Sequence, residues 1–332
     1  MGRCMPLIAL GLAVLLCWSG CDRGSAPDHG GLRKRRIAVI PKGLTHAHWK
    51  AIEAGARKAA EEDGTVEIDW KGPPKEDDTR QQIELVQNFV SSGIDGIILA
   101  PLSDQALLSP VQLAGRAGIP VVIIDSGLAG ELGKDFVAYV GTDNYQGGVL
   151  AGQRIAERLK GQGTVLLLRF AESSASTNQR EQGFIDTVKR GAGQVQIIDP
   201  PQYAGADVMS GKRAAENMLT AYEGKFQAIF CPNESSTAGM LLALEDRQLA
   251  GKVWFIGFDI RPQLIDGLRA GKIHGLVIQN PFQMGYRSVK IMVAHIRGEP
   301  VERNVDTGAV VVTAENIDTP EIQKLINPAV LK

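Results

Sequence analysis

The stretch "VIPKGLTHAHWKAIEAGA", residues 39–56, decides how the chain is read. It opens as the end of an apolar run that begins at Arg36 (RIAVIP) and breaks at Pro41-Lys42-Gly43. Apolar positions then return at helical spacing: Trp49, Ile52, Ala56, Ala59 and Ala60. A short apolar run closed by Pro and Gly predicts a strand buried on both faces; the later spacing predicts a helix with one buried stripe. Lys42, His46, His48 and Trp49 are gathered at the strand-to-helix turn.

The same grammar runs outward from this unit. Strands are predicted at 36–41, 66–70, 93–101 and 119–125, alternating with helices at 46–62, 78–91 and 104–117. The pattern restarts with strands at 136–144, 163–170, 195–199, 226–232, 253–259 and 274–280. Helices are predicted between and after them at 145–159, 177–190, 209–222, 234–248, 261–270 and 282–296, with a last strand near 309–312. Two βαβα trains with near-continuous apolar strands predict an α/β protein with two Rossmann-like, doubly wound parallel sheets. Neither train carries G-x-G-x-x-G or G-x-x-x-x-G-K-[ST], so no phosphate loop is signalled. The 38 glycines suit so many strand-to-helix turns, and a net charge of -1 gives no general pull toward nucleic acid.

Residues 1–20 have a short basic start and an apolar stretch at 6–16, too short to span a bilayer, and read as a signal peptide. Ser19-Gly20-Cys21 resembles a bacterial lipobox, with Trp18 where Leu is usual. That likeness implies a lipidated Cys21 anchoring the chain to a membrane in the periplasm, on a polar tether over 21–35. Cys4 and Cys17 would leave with the signal, so Cys231 would stand alone and no intramolecular disulfide is expected.

Ligands of open parallel sheets meet the loops beyond the carboxyl ends of the strands. Those ends carry Lys42, His46, His48 and Trp49 after the first strand, then Asp125 and Ser126 after the fourth. Asn178 and Arg180 follow LLLRF, Asn233 and Glu234 follow AIFC, Asp259 follows FIGF, and Gln279 and Asn280 follow LVI. Carboxylates accept from two hydroxyls, amides donate and accept, and guanidinium donates to vicinal oxygens. An indole packs on the apolar face of a pyranose. The set suits a small polyhydroxylated ligand in a cleft. Blander readings stand beside it. An Asp after a strand is most often a cap or turn residue, as for Asp104 and Asp143. The two histidines would be half-exposed residues of a helix start, and Trp49 would serve the core. His46 and His48 lack a third ligand at metal spacing, so no metal is expected. The serines of ESSAST have neither a nucleophile elbow nor a placed base, so neither an enzyme nor a cofactor is indicated.

From about Arg36 to its end, the chain resembles the ribose-binding branch of the type I periplasmic binding proteins, the sugar receptors of ABC importers. YVGTDNYQGG, REQGF, CPNE, GFD and IQNP carry the resemblance, in that order. Pro41-Lys42 and WKGPPKEDDTRQQIELVQNFV are also similar to the autoinducer-2 and rhamnose receptors. The resemblance implies an N-terminal lobe of 36–142 plus 280–308 and a C-terminal lobe of 143–279 plus 309–332. Three crossovers would hinge them near 125–142, 258–261 and 279–283. It implies ligand contacts from Lys42, His46 (in the place of an Asn), and His48 and Trp49 (in the places of two Phe). Asp125, Ser126, Arg180, Asn233, Asp259 and Gln279 would complete the set, with Tyr203 as a second-lobe aromatic. The implied function is capture of a monosaccharide or polyol by a monomeric, non-enzymatic lipoprotein that delivers it to an ABC permease and its ATPase. The same fold would equally present a ligand to a signalling receptor. A lactose-repressor-type regulator would need a helix-turn-helix where the signal peptide stands. Lys42 with Arg180 leaves room for an acidic sugar, unless Asp125 and Asp259 balance them.

Overall fold

Each apolar run that ends in a Gly or Pro turn forms a strand, and each amphipathic run forms a helix. The computed structural model describes residues 1–2, 33–191 and 194–327. The expected signal peptide, nearly all of the 21–35 tether and the lipidation site Cys21 lie outside the described residues. The first train is β1 (Arg35–Ile40), α1 (Ala47–Asp63), β2 (Val66–Trp70), α2 (Thr79–Ser91), β3 (Gly96–Leu99), α3 (Leu108–Arg116), β4 (Val121–Ile124) and β5 (Ala138–Gly141). The second is α4 (Asn144–Leu159), β6 (Thr164–Leu167), α5 (Ala175–Gly191), β7 (Gln196–Ile198), α6 (Val208–Ala221), β8 (Ala228–Phe230), α7 (Glu234–Asp246), β9 (Trp254–Phe258), α8 (Pro262–Arg269) and β10 (Gly275–Gln279). Helix α9 (Pro281–Ile296), β11 (Asn304–Asp306), β12 (Ala309–Val312) and α10 (Pro320–Ile326) follow.

Two six-stranded sheets result, in the orders β11-β5-β4-β3-β1-β2 and β12-β10-β9-β8-β6-β7. Every pair is parallel except β10 with β12. The two orders superimpose, strand for strand. Both faces of each sheet are covered, which is why the central strands are apolar at every position. Ile52 of α1 with Met284 and Met292 of α9 pack one face of the first sheet; Val86, Phe89 and Val111 of α2 and α3 pack the other. In the second lobe, α4 and α5 cover one face through Ile155 and Phe184, and α6, α7 and α8 the other through Met218, Leu241 and Leu264.

The paired helices nearest the cleft touch backbone to backbone. A Cβ on Gly55 of α1 would lie 2.0 Å from the Phe282 carbonyl of α9, and one on Gly148 of α4 would lie 1.9 Å from the Arg180 carbonyl of α5. Only glycine permits this approach, and each lobe uses it once per partner: Gly285 answers Gly55, and Gly183 answers Gly148.

The chain passes between lobes at three places: from β5 to α4, from β10 to α9, and from β11 to β12. The crossover expected near 258–261 is therefore misplaced. Strand β9, helix α8 and β10 all belong to the second lobe, and the third passage is the Thr307-Gly308 turn. Helix α3 starts at Leu108 and not at 104, because Pro110 is tolerated only in a first turn; Asp104 lies in the turn before it. Strand β11 and helix α10 were not expected; three and seven residues are too short to show a period.

Candidate functional site

Both lobes bring the carboxyl ends of their strands to one cavity. Its wall includes Lys42, His46, His48, Trp49, Glu76 and Asp125 from the first lobe. The second lobe supplies Phe170, Ser174, Ser176, Thr177, Arg180, Asn233, Glu234, Asp259 and Gln279.

Asp125 and Asp259 occupy equivalent places, the first residues beyond β4 and β9. Both are held in the left-handed region, at φ 62° and 64°. Aspartate is among the few residues that visit it, and such positions cluster at functional sites. In each case the backbone N–H donates to the neighbouring strand, to the Val140 and Val277 carbonyls at 3.1 and 2.8 Å. The turn this makes aims both carboxylates into the cleft.

Asp125 is shared by two first-lobe cations. Lys42 Nζ lies 3.2 Å from Oδ2, and His48 Nε2 lies 2.8 Å from Oδ1. Burial alone would raise the Asp125 carboxyl, but Lys42 and His48 hold it far below the usual carboxylate range. Burial likewise opposes a charged His48, and the hydrogen bond to Asp125 overcomes it, so its pKa is raised. Lys42 Nζ also donates to Ser176 Oγ at 3.0 Å across the cleft.

A second cluster stands beside the first. His46 Nδ1 lies 2.5 Å from Glu76 Oε1, and Trp49 Nε1 donates to the same oxygen at 2.7 Å. Burial works against the charged imidazole, yet the Glu76 carboxylate raises His46 to about 9. His46 is the N-cap residue of α1 but makes no side-chain cap bond; its ring is committed to Glu76.

In the second lobe, Arg180 Nε donates to Asn144 Oδ1 at 2.8 Å and an η nitrogen donates to the Pro232 carbonyl at 3.0 Å. Its guanidinium lies over the Phe258 ring at 3.9 Å, with Asp259 Oδ2 at 3.8 Å. Gln279 Nε2 donates to Asp259 Oδ1 at 2.6 Å. Asn233 caps α7, accepting from the Ser236 N–H at 3.2 Å, and also lines the cavity. Burial raises the pKa of its neighbour Glu234. Asp143 is the N-cap of α4 and accepts from the Gln146 N–H. Among the described residues, no group of three His, Cys, Asp or Glu is placed to hold a metal ion.

Of the strand-end residues outside the implied ligand set, Glu234 lines this cavity, whereas Asn178 and Asn280 do not. Nine of the eleven residues that the resemblance implies as ligand contacts line it. Ser126 does not; it is fully buried and its Oγ accepts from the Ser176 N–H at 3.2 Å, a contact between lobes. Tyr203 does not either. Its backbone bridges Arg169 and its side chain is 40% exposed, because the Pro200-Pro201 segment carries it along the outside of the sheet. Glu76, Phe170, Ser174, Ser176 and Thr177 were missed. Glu76 follows the second strand, whose end carries the run KGPPKEDD; the rule of strand ends applied there would have found it. The serines were considered only as nucleophiles. The cavity is small in this closed arrangement, about 30 Å³.

Two equivalent α/β lobes that hold a polar cavity between the carboxyl ends of their sheets define a cleft-type binding protein. The chain matches the periplasmic binding protein domain family over residues 37–300. It belongs to that family, in its type I, ribose-binding branch, whose members are substrate-binding proteins of ABC transporters and not enzymes. It is 31% identical over 242 residues to a D-ribose/D-allose-binding protein of Pseudomonas aeruginosa, covering 70% of this chain and 75% of that protein. The structure of an ABC transporter solute-binding protein from Agrobacterium vitis with bound D-fucose superposes with a TM-score of 0.84 at 32% identity, covering 87% of this chain and 99% of that one. A carbohydrate transporter solute-binding protein from Agrobacterium radiobacter in complex with D-arabinose gives a TM-score of 0.84 at 33% identity, covering 89% and 100%.

Proposed function

We propose that this chain captures an uncharged monosaccharide or related polyol between its lobes and delivers it to an ABC permease. One observation carries the choice of an uncharged ligand: each of these cationic groups has a carboxylate partner from its own lobe. Lys42 and His48 face Asp125, His46 faces Glu76, Arg180 faces Asp259, and Arg261 lies 3.8 Å from Glu234. A buried charge left without a partner is costly, and none here needs the ligand to supply one. Hydroxyls that both donate and accept fit such pre-paired groups, whereas a carboxylate on the sugar would compete with Asp125 or Asp259. Neutral sugars therefore rank ahead of the acidic sugars that Lys42 and Arg180 suggest when taken alone. The relatives whose descriptions name D-ribose, D-allose, D-fucose and D-arabinose support the same class.

In this reading Lys42, His46, His48, Trp49, Asp125, Arg180, Asn233, Asp259 and Gln279 contact the ligand, joined by Glu234 and the cleft serines. The lobes, 36–142 with 280–308 and 143–279 with 309–332, open by rotation at the three crossovers to admit a molecule larger than the closed cavity. The chain acts as a monomer in the periplasm, where Cys21 carries the lipid after the signal is removed.

Calorimetric titration of the soluble chain from Asp22 onward tests this. D-ribose, D-allose, D-fucose and D-arabinose form one panel, and the corresponding uronates another. Binding of at least one neutral sugar, with the uronates weaker, is expected. Folded protein that binds none of them, or that prefers uronates, overturns the reading. The anchor is tested separately: Cys21→Ser should move the chain from the membrane fraction to the soluble one.

A further inference from the structure

We propose that Glu76 is a positioning residue: it fixes the imidazole of His46 as a donor at both nitrogens, so that Nε2–H reads an acceptor oxygen on the captured sugar. This rests on the cleft being a sugar site.

The geometry leaves His46 little choice. Glu76 Oε1 receives Nδ1 of His46 and Nε1 of Trp49, and a carboxylate only accepts, so the Nδ1 proton stays in place. The protonation state of the ring is then expressed at Nε2 alone. With the proton, Nε2 donates; without it, Nε2 accepts. That atom is buried and has no partner, and His46, only 6% exposed, lines the cavity. Gln279 is the other wall residue with an orphaned atom, its Oε1, and Gln279 is 4% exposed. Its amide is oriented by donation to Asp259, which leaves the oxygen free to accept. The cavity thus presents one unfilled donor from the first lobe and one unfilled acceptor from the second. A sugar hydroxyl system meets both, and an unmet pair of this kind would cost the closed state.

The charges around His46 come from several elements. Glu76 approaches from the segment after β2, Glu234 from the head of α7 and Asp259 from the end of β9, and all three favour the charged ring. Lys42, His48, Asp125 and Arg180 complete the wall. With His46 titrating at about 9, Nε2 is a donor throughout the neutral range.

The test combines a titration with a binding profile, on the soluble chain from Asp22 onward. The His46 imidazole is followed by NMR in ligand-free wild type and Glu76→Gln, and affinity for D-fucose and D-arabinose is measured from pH 6 to pH 10. In wild type, binding should hold at neutral pH and weaken as pH passes about 9. In Glu76→Gln, whose amide oxygen can still accept from Trp49, the His46 midpoint should fall by a unit or more. The pH at which binding weakens should fall with it, so that the variant binds more weakly than wild type at pH values between the two midpoints. His46→Gln keeps a neutral donor, so the affinity it retains should no longer fall as pH passes about 9. A purely structural Glu76 would lower stability and leave the binding midpoint where it is; that result overturns the proposal. So does a His46 that titrates near 6.5 in both proteins. If Glu76→Gln does not fold, His46→Gln decides: an unchanged alkaline profile overturns the proposal. If folded wild type binds neither these sugars nor the rest of the panel, the sugar reading fails, and the reading of an acceptor by Nε2 falls with it. The imidazole titration then shows whether Glu76 at least fixes the ring.

Discussion

Replacing Gly148 by alanine should weaken sugar binding although Gly148 does not itself line the cavity. Gly148 lies on α4, and a Cβ there would sit 1.9 Å from the Arg180 carbonyl oxygen and 2.8 Å from the Phe184 nitrogen of α5. An ordinary carbon–oxygen contact is about 3.3 Å, so the helices must part by roughly 1.4 Å at this point. Neither side can yield locally, because both are backbone. Overpacking of this kind costs about 1–3 kcal/mol of stability. The more specific consequence concerns Arg180. Its Nε donates at 2.8 Å to Asn144, which belongs to α4, while its η nitrogen is tied at 3.0 Å to Pro232 beyond β8. Parting α4 from α5 stretches the first bond and tilts the guanidinium away from the Phe258 ring. A charge-assisted hydrogen bond is worth about 1.5–3 kcal/mol, so the affinity should drop by roughly ten- to a hundredfold. Titration calorimetry with D-fucose and thermal unfolding, run side by side, measure both effects. Gly239→Ala is the control: its Cβ would lie 2.4 Å from the Lys212 nitrogen and strain α6 against α7, leaving the α4–α5 spacing and the Arg180–Asn144 bond alone. If the two variants lose stability and affinity alike, Arg180 is not placed by the α4–α5 spacing and the reasoning fails.

Three further outcomes follow from the buried charges. Asp125→Asn leaves Lys42 and His48 without their shared carboxylate and should cost about 3–5 kcal/mol at pH 7. Because the folded pKa of Asp125 is depressed, its contribution is complete above the unfolded value of 3.8 and is lost as pH falls below it; denaturant titrations should find the gap to wild type closing only in that acid range. His46 behaves oppositely. Its pKa rises from 6.5 to about 9, so its stabilising contribution is complete below pH 6.5 and is lost as pH rises to about 9. Wild type should therefore lose on the order of 3 kcal/mol across that window relative to His46→Gln, and equal slopes would contradict the Glu76 pairing. Cys231 is fully buried and burial raises its thiol pKa well above the ordinary value. In the soluble chain from Asp22 onward, a thiol reagent should label it only as fast as the second lobe opens, and immediate labelling of the native protein would contradict this.

The sequence carried the sheets because parallel strands buried on both faces leave apolar runs bounded by turn residues. RIAVIP, GIILA, PVVII and VLLL are strands at their centres, and the predicted boundaries stray only by the residues that fray into turns. Most of the cleft was legible for a related reason: ligand contacts in this topology must follow strands, so Asp125, Asp259 and Gln279 could be found by position. What escaped depends on distance in space. Glu76 looks like one charge among many in KGPPKEDD, and only the fold brings it to His46 and Trp49. Tyr203 was expected in the cleft from the family resemblance, and the path of Pro200-Pro201 carries it outside. The third crossover could not be read because β11 is three residues long and gives no periodic signal.

The two lobes repeat each other in topology, in the left-handed aspartates after β4 and β9, and in the paired glycines of their cleft-side helices. They do not repeat in charge. Asp125 is paired with Lys42 and His48 and Asp259 with Arg180, each within its own lobe; the contacts that cross between the lobes are hydrogen bonds and one exposed ion pair, Lys75 with Asp207 at 2.9 Å. Lys42 reaches Ser176 at 3.0 Å, the His48 N–H reaches Glu234 at 3.4 Å, and Ser176 reaches Ser126 at 3.2 Å. The buried charge pairs that stabilise each lobe therefore survive opening, while opening breaks a few hydrogen bonds and the exposed Lys75–Asp207 ion pair, which water largely replaces. His48 is the exception. Its Nε2 holds Asp125 at 2.8 Å while its Nδ1 lies 3.9 Å from Asp259, so it is the one ring that senses both carboxylates only when the lobes are closed. A sugar hydroxyl seated beside His48 and Asp259 would bridge that gap with two hydrogen bonds and so favour the closed form. Opening and closing thus turn on a few hydrogen bonds, one exposed ion pair and one shared imidazole, an arrangement in which an uncharged ligand is enough to shift the balance.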